Sequence, residues 1–505
     1  MTLIHSIISW ATIKRMNQIE LFKKYPSDVQ LEQLLNLIKT AKNTEWGKKY
    51  DYNSITNISK YRERVPVQPY PGFMPFIERI RQGEQNILWP TEIKWFAKSS
   101  GTTADKSKFI PVSRESLEDC HFRGGRDVIA IYASNYPGES LFTGKALAIG
   151  GSQQINKYEN ELYYGDLSAV LIENLPFWMR LLRTPDKKIA LMEEWEEKIE
   201  LMAKNTINEN VTNISGVPSW TLVLIKRILE ITGKKSLHDV WPNLELFVHG
   251  GVSFTPYKEQ FNNLLDSSKI NYLETYNASE GFFAIQESPE TDSMLLMLDY
   301  GIFYEFVPVE NLGQDFPKTL SIDEVELDKN YALVISTNGG LWRYLIGDTI
   351  KFTSKYPFRI KITGRTKHFI NAFGEELIIE NAEVALKKAC ERTGAEIREY
   401  TAAPIYMSEK RNGGHQWLFE FSKMPENLEQ FAEILDTSLK SVNSDYEAKR
   451  YKNISLGFPT IEVAREGLFY DWLKERGRLG GQNKVPRLAN NRDFIERLLE
   501  MNKKG

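Results

Sequence analysis

Between residues 145 and 364 the chain alternates short apolar runs with helix-spaced stretches. That alternation constrains the fold more than any other feature. Residues 145–150 read KALAIG and stop at Gly150-Gly151; residues 244–249 read LELFVH and stop at Gly250-Gly251. Apolar runs this short, bounded by glycine, are expected to be buried strands. Before them, residues 113–132 have helical spacing with Ser113 as cap; between them, 167–205 are helical in pieces, and 221–232 form a helix ended by Gly233. Further strands are expected at 271–274, 282–286, 294–298, 303–309, 331–337 and 358–364. Phe303, Glu305, Val307 and Val309 alternate like a half-exposed sheet. Interleaved strands and helices predict an α/β fold of mixed sheets and helices.

Upstream, residues 27–43 predict a helix opened by a Ser27/Gln30 capping box. Pro66, Pro69, Pro71, Pro75 and Pro90 predict loops over 61–90. The dense apolar patch from Ala169 to Leu182 reads as core. Beyond 365 the pattern repeats on a smaller scale. A helix at 380–393 ends at Gly394, a hairpin of 401–407 and 416–421 closes around Asn412-Gly413-Gly414, and helices follow at 427–442 and 463–476. A chain of 505 residues exceeds one core. A large N-terminal domain, 1–364, and a smaller, mobile α+β C-terminal domain, 365–505, are expected.

Charge and composition narrow the function classes. Lys+Arg 64 against Asp+Glu 67 gives a net charge of -3 and no basic footprint for nucleic acid. Cys120 and Cys390 form no disulfide framework, and six scattered histidines offer no metal-ligand spacing. No apolar run is long enough for a membrane span, and residues 3–10 lack the charged start of a leader. A cytoplasmic, monomeric protein acting on small molecules is expected.

Five polar segments carry the chemistry. Residues 99–108 read SSGTTADKSK. Ser99, Ser100, Gly101, Thr102 and Thr103 let backbone N–H groups and hydroxyls converge on an oxyanion, and Lys106 and Lys108 follow with mobile charge. No GxxxxGK[ST] pattern is present, so this is not a Walker loop. Tyr276-Asn277-Ala278-Ser279-Glu280 joins an aromatic ring, able to stack on a base, to a carboxylate able to hold Mg²⁺. In 342–348, Gly347 permits a tight turn and Asp348 can accept two hydrogen bonds from a ribose diol. Gly364-Arg365-Thr366-Lys367 and Gly480-Gly481-Gln482-Asn483-Lys484 complete the series.

In this order the segments resemble the adenylate-forming superfamily of acyl-CoA synthetases, luciferases and peptide-synthetase adenylation domains. The Ser-Ser-Gly-Thr start, the Ser-Glu form of the second segment and the Asn-Lys-Val-Pro-Arg tail resemble most closely the auxin-responsive acyl-acid amido synthetases (the Gretchen Hagen family), particularly their bacterial homologues. The resemblance implies ATP and Mg²⁺, a carboxylic acid and an amine or amino acid as substrates, and an acyl-adenylate between them. Ser99 to Thr103 with Lys108 would cradle the phosphates. Tyr276, Asn277, Ala278 and Ser279 would border adenine and the α-phosphate, and Glu280 would bind Mg²⁺. Asp348, helped by Arg365, would hold the ribose. Lys367 would be the hinge, and Lys484 would reach the acyl-adenylate in the first half-reaction. Helices after the phosphate loop would bring Phe122, Arg123, Arg126, Phe177 and Trp178 near the acid.

The chain departs from the superfamily at Ala104-Asp105, where glycine is usual, at Lys367, where aspartate is common, and at Asn371, where lysine is usual. His121 and His249 lie near the proposed segments as candidate bases for the amine, with a structural role as the simpler expectation. An acyl-CoA synthetase and a non-catalytic ligand-binding member of the superfamily are the competing readings.

Overall fold

The structure, a computed structural model, describes residues 2–99, 108–136, 141–149, 155–158, 161–192, 194–252, 254, 257–312, 314, 316–365, 369–407, 412–453, 455–476 and 485–504. Ser100 to Thr103, Lys106, Lys367 and Lys484 lie outside the described residues, as does the side chain of Arg365.

Among the described residues fifteen strands precede residue 366: β1 Trp95–Ser99, β2 Lys108–Val112, β3 Lys145–Ala148, β4 Asn156–Lys157, β5 Tyr163–Gly165, β6 Arg183–Thr184, β7 Val211–Gly216, β8 Leu246–Gly250, β9 Asn271–Ala278, β10 Gly281–Ile285, β11 Met294–Leu296, β12 Ile302–Pro308, β13 Asn330–Thr337, β14 Tyr344–Lys355 and β15 Phe358–Arg365. Eleven of them make one sheet in the order β12-β13-β14-β15-β11-β10-β9-β8-β7-β3-β6. From β9 through β8, β7 and β3 to β6 every neighbour is parallel. On the other side of β9 every neighbour is antiparallel. Strand β9 is therefore where the sheet changes character, and the carboxyl ends of β3, β7, β8 and β9 open on one edge. A second sheet, β2-β1-β5-β4, stands beside it.

The apolar runs become strands and the glycines stop them, as the alternation implies. Helix Pro218–Thr232 ends on Gly233 at φ +66°. The Ser113 cap also forms, with the Ser116 amide donating to Ser113 Oγ at 2.9 Å.

Several local expectations change. The Ser27/Gln30 capping box is not made, because Pro26 already opens helix Pro26–Ala41 and puts Ser27 inside it. Gln30 is instead 2% exposed and ties the helix to the sheet. Its amide donates to the carbonyls of Leu298 and Ile302 (2.9 and 3.0 Å) and accepts from the Tyr304 amide at 2.8 Å. Residues 61–90 are less irregular than their prolines predict, for Pro71 sits in the first turn of helix Tyr70–Arg81, where a missing N–H costs nothing. Pro75 removes one hydrogen bond inside that helix, offset by burial of Phe73, Ile77 and Ile80. Strand β12 is buried on both faces rather than half exposed. Gly347 makes no turn, since it lies within β14.

Past residue 368, β16 Phe369–Ile370 and β17 Leu377–Ile378 form a short ladder. β18 Glu396–Ile405 pairs antiparallel with β19 Gly414–Lys423, and β20 Thr460–Val463 adds in parallel. Helices Ile379–Thr393 and Leu428–Val442 cover this sheet, burying Trp417, Phe419, Phe431, Leu435 and Leu439. The helix expected at 463–476 is shorter, Leu468–Glu475, because its first residue belongs to β20. No helix among the described residues is long and apolar enough to cross a membrane.

Candidate active site

The carboxyl ends of the parallel strands open into a cavity of about 2140 Å³. Its wall includes Ser99, Lys108, Tyr276, Asn277, Ala278, Ser279, Glu280 and Asp348. Segments far apart in sequence are thus brought to one space. Ser99 and Lys108 face each other across the ends of the antiparallel β1–β2 pair. Ser279 and Glu280 form the turn between β9 and β10, where Gly281 pairs with Ala278.

Asp348 reaches the cavity through a bulge. Ala332 pairs with Thr349 and Val334 with Leu345, so Ile346, Gly347 and Asp348 of β14 stand against a single residue of β13. Gly347 at φ +100° supplies the left-handed backbone this needs. On the other side, Asp348 pairs with Arg365 of β15.

Two hydrogen-bonded sets organise the wall. The Tyr276 hydroxyl donates to Asp348 Oδ2 at 2.6 Å, fixing the carboxylate proposed for the ribose. Lys108, 7% exposed, directs Nζ at the Tyr344 hydroxyl (3.4 Å), and that hydroxyl donates to Glu280 Oε1 at 3.2 Å. Burial, reinforced by the Glu280 charge, holds the Tyr344 phenol well above its usual range, so it stays a donor. Glu280 is reached through the cavity but enclosed by protein. That enclosure pushes its carboxyl up, Lys108 pulls it down, and Asp348 pushes it up again. A carboxyl held in this way is short of positive charge.

Tyr344 has a place here that its sequence context does not reveal, because a tyrosine in an apolar run reads as core. His121 and His249 both line the cavity, and neither Nδ1 has a partner among the described residues. Burial pushes His121 down to about 4 and His249 to about 3, the latter also lowered by Lys258, so both rings are neutral at pH 7. Phe122, Arg123 and Arg126 lie on the cavity wall. Arg123 is already bound to Asp299 at 2.8 Å. Phe177 is 74% exposed, so it belongs to the surface. The patch expected as core divides. Ala169, Val170 and Ile172 are buried, while Leu171, Leu175, Met179 and Leu182 give the cavity an apolar wall.

Asn371 donates to the Gly251 carbonyl at 3.2 Å and links the small lobe to the end of β8. The Trp220 indole N–H donates to the Phe373 carbonyl at 3.2 Å, and the Tyr257 hydroxyl to the Ala372 carbonyl at 2.6 Å.

A mixed sheet changing character at β9, with Ser99, Lys108, Glu280 and Asp348 on one cavity, is the architecture of an adenylate-forming ligase. The GH3 family N-terminal domain profile matches residues 15–270, the central domain profile 295–365 and the C-terminal domain profile 380–493. The chain belongs to the GH3 family. It is 23% identical to the indole-3-acetic acid-amido synthetase GH3.3 of Arabidopsis thaliana, over 96% of this chain and 93% of that one. It is also 23% identical to the jasmonoyl–L-amino acid synthetase JAR4 of Nicotiana attenuata, over 94% and 92%. Among solved structures, the GH3.15 acyl acid amido synthetase superposes with a TM-score of 0.61 at 18% identity, over 97% of this chain and 95% of that one. A 2-hydroxyisobutyryl-CoA ligase with its acyl-adenylate and CoA superposes with a TM-score of 0.60 at 12% identity, over 95% and 93%.

Proposed function

We propose that the protein joins a carboxylic acid to an amino acid at the expense of ATP, through an acyl-adenylate. The observation that carries this is the convergence of Lys108, Tyr344, Glu280, Tyr276 and Asp348 on one cavity wall. The names of the amido synthetases it resembles support the amide product.

The chemistry asks for such a wall. A carboxylate oxygen attacks the α-phosphorus of ATP, and pyrophosphate leaves. Two anions must meet, so positive charge has to be held ready. Lys108 supplies one such charge, and the Ser99–Thr103 loop would add N–H donors. Glu280 fits a Mg²⁺ site, for this ion is commonly held by one or two carboxylates together with substrate phosphates. No group of three metal-ligating side chains occurs among the described residues, which suits an ion that arrives with the nucleotide. Bound there, Mg²⁺ would neutralise developing phosphate charge. Asp348, oriented by Tyr276, would take the ribose hydroxyls, and the Leu171–Leu175–Met179–Leu182 wall suits an acid with an apolar body.

In the second half-reaction the amine attacks the acyl carbonyl, and AMP leaves. Rotation of residues 365–505 about Lys367 would withdraw Lys484 and admit the acceptor.

Incubation with a panel of carboxylic acids, ATP and either amino acids or CoA tests the reading. Amide formed only with amino acids is expected, and a thioester overturns it. Lys484→Ala should abolish most adenylation while nearly sparing transfer from preformed acyl-adenylate. Equal loss in both halves removes the assigned role.

A further inference from the structure

Of the arginines that line the cavity, Arg183 alone lacks a partner among the described residues. Arg15 holds Asp127 and Asp299, Arg123 holds Asp299, and Arg126 donates to the Glu118 carbonyl. Arg183 makes no hydrogen bond or ion pair there, and its Nη2 is shut off from solvent. Burial pushes its guanidinium down to about 10, and no carboxylate opposes the shift, so it stays a cation at pH 7. Its surroundings add positive charge. Burial pushes the neighbouring Lys198 down to about 8, opposed by Asp166 and reinforced by Arg183 and Lys449. A buried cation without a counter-ion destabilises the fold, and an arriving anion relieves it.

The sheet fixes where that anion would sit. Arg183 opens β6, the last strand of the parallel half. The Ala146 amide donates to the Leu182 carbonyl at 2.8 Å, and the register sets Arg183 beside Ala146 of β3, and Ala146 beside Asn213 of β7. All three line the cavity. The alanine methyl leaves room above it, and Asn213 offers an amide whose hydrogen bond to Thr212 Oγ1 is long, at 3.4 Å. Leu182, immediately before Arg183, belongs to the apolar wall. A positive group therefore stands where that wall ends.

Distance decides which substrate group it meets. Strand β6 lies four strands from β9, roughly 19 Å across the sheet. The reacting carboxylate belongs near Lys108 and Glu280, at the turn after β9, with the attacking amine beside it. An amino acid carries its carboxylate one carbon from its amine and cannot span that gap. The remote end of a long acid can. We infer that Arg183 selects acids with a second carboxylate at the far end of an apolar body, donating guanidinium N–H groups to it while the first carboxylate is adenylated. This rests on the acid-activating reading above and adds a substrate class to it: long dicarboxylic acids, with Arg183 as a specificity determinant.

Acid-dependent exchange of pyrophosphate into ATP, run without any amino acid, tests it. Straight-chain dicarboxylic acids from hexanedioic to hexadecanedioic are compared with monocarboxylic acids of the same lengths, on the wild type, Arg183→Met and Arg183→Lys. At its best length the wild type should favour the dicarboxylic acid by about tenfold or more in kcat/KM, the usual effect of a charge-assisted hydrogen bond. Arg183→Met should erase that preference through KM and keep exchange with the monocarboxylic acid. Arg183→Lys keeps the charge but loses the planar fork, so it should fall between. Thermal midpoints give a second readout. Removing an unpaired buried charge should leave Arg183→Met at least as stable as the wild type, and the dicarboxylic acid should raise the midpoint of the wild type but not of Arg183→Met. A wild type that favours the dicarboxylic acid at no length overturns the assignment, as does a preference that survives in Arg183→Met. An Arg183→Met variant that unfolds or melts well below the wild type also overturns it, because the arginine would then serve the fold. Exchange stimulated by no acid at all would instead overturn the acid-activating reading, and this assignment with it.

Discussion

At the scale of the residue, burial makes an ionised Glu280 costly to the fold. Its folded pKa is raised, so the folded protein binds a proton more tightly than the unfolded chain does. The stability this brings is full below the ordinary carboxyl range and is lost as pH rises through the raised value. Ionised Glu280 is thus a burden on the fold that the proposed Mg²⁺ role would require. Glu280→Gln should raise the thermal midpoint at pH 8, with the gain shrinking as pH falls below the carboxyl range, and should lower acid-dependent pyrophosphate release by about a hundredfold. Calorimetric scans at both pH values, alongside the assay, check both halves. Tyr344→Phe should cost less, about tenfold, because it removes the bridge between Lys108 and Glu280 but neither charge. That Lys108 and Glu280 would stand at one cavity was legible in the sequence, because both sit in unusual polar company. The place of Tyr344 was not, because a tyrosine inside an apolar strand has no local mark of its partners.

At the scale of the element, β12 shows where periodicity misleads. Glu305 has the polar place in an alternating pattern that would put it in water. It is buried, and Arg343 explains why: Nε donates to Glu305 Oε2 at 2.8 Å, and Nη1 donates to the Arg62 and Val65 carbonyls at 3.0 and 2.6 Å. Thr319 Oγ1 also donates to Glu305 Oε1, at 2.6 Å. The sheet buried the strand and brought the charge's partners with it, from segments that no local pattern connects. Breaking a buried pair leaves one charge stranded, so Glu305→Leu alone should destabilise by about 3–5 kcal/mol. Glu305→Leu with Arg343→Met should lose less than the single change, which urea denaturation of both variants measures. Gln30 teaches the same lesson in a helix. Its spacing from Ser27 imitates a cap, but Pro26 had already set where the helix begins.

At the scale of the whole molecule, the sheets and most helices follow from apolar spacing and glycine placement. How the two lobes meet does not, since it depends on single donors. Trp220 and Tyr257 hold the carbonyls of Phe373 and Ala372, and the Lys449 ammonium lies 3.7 Å from the centre of the Trp220 ring. Trp220→Phe with Tyr257→Phe keeps the rings and removes both donors. Hydrogen exchange of the amides at 371–376 should then quicken about tenfold or more, while those of β12 and β13 stay unchanged. Unchanged exchange at 371–376 would mean that the lobes are held elsewhere. A different freedom comes from the ladder that pairs Ser99 with Lys108. Its register fixes both ends of the intervening segment, so lengthening that segment leaves the lysine where it is. Closing a loop twice as long costs only about 0.6 kcal/mol. The length of the segment proposed to face the oxyanion can therefore drift in evolution, or be changed by design, without moving Lys108.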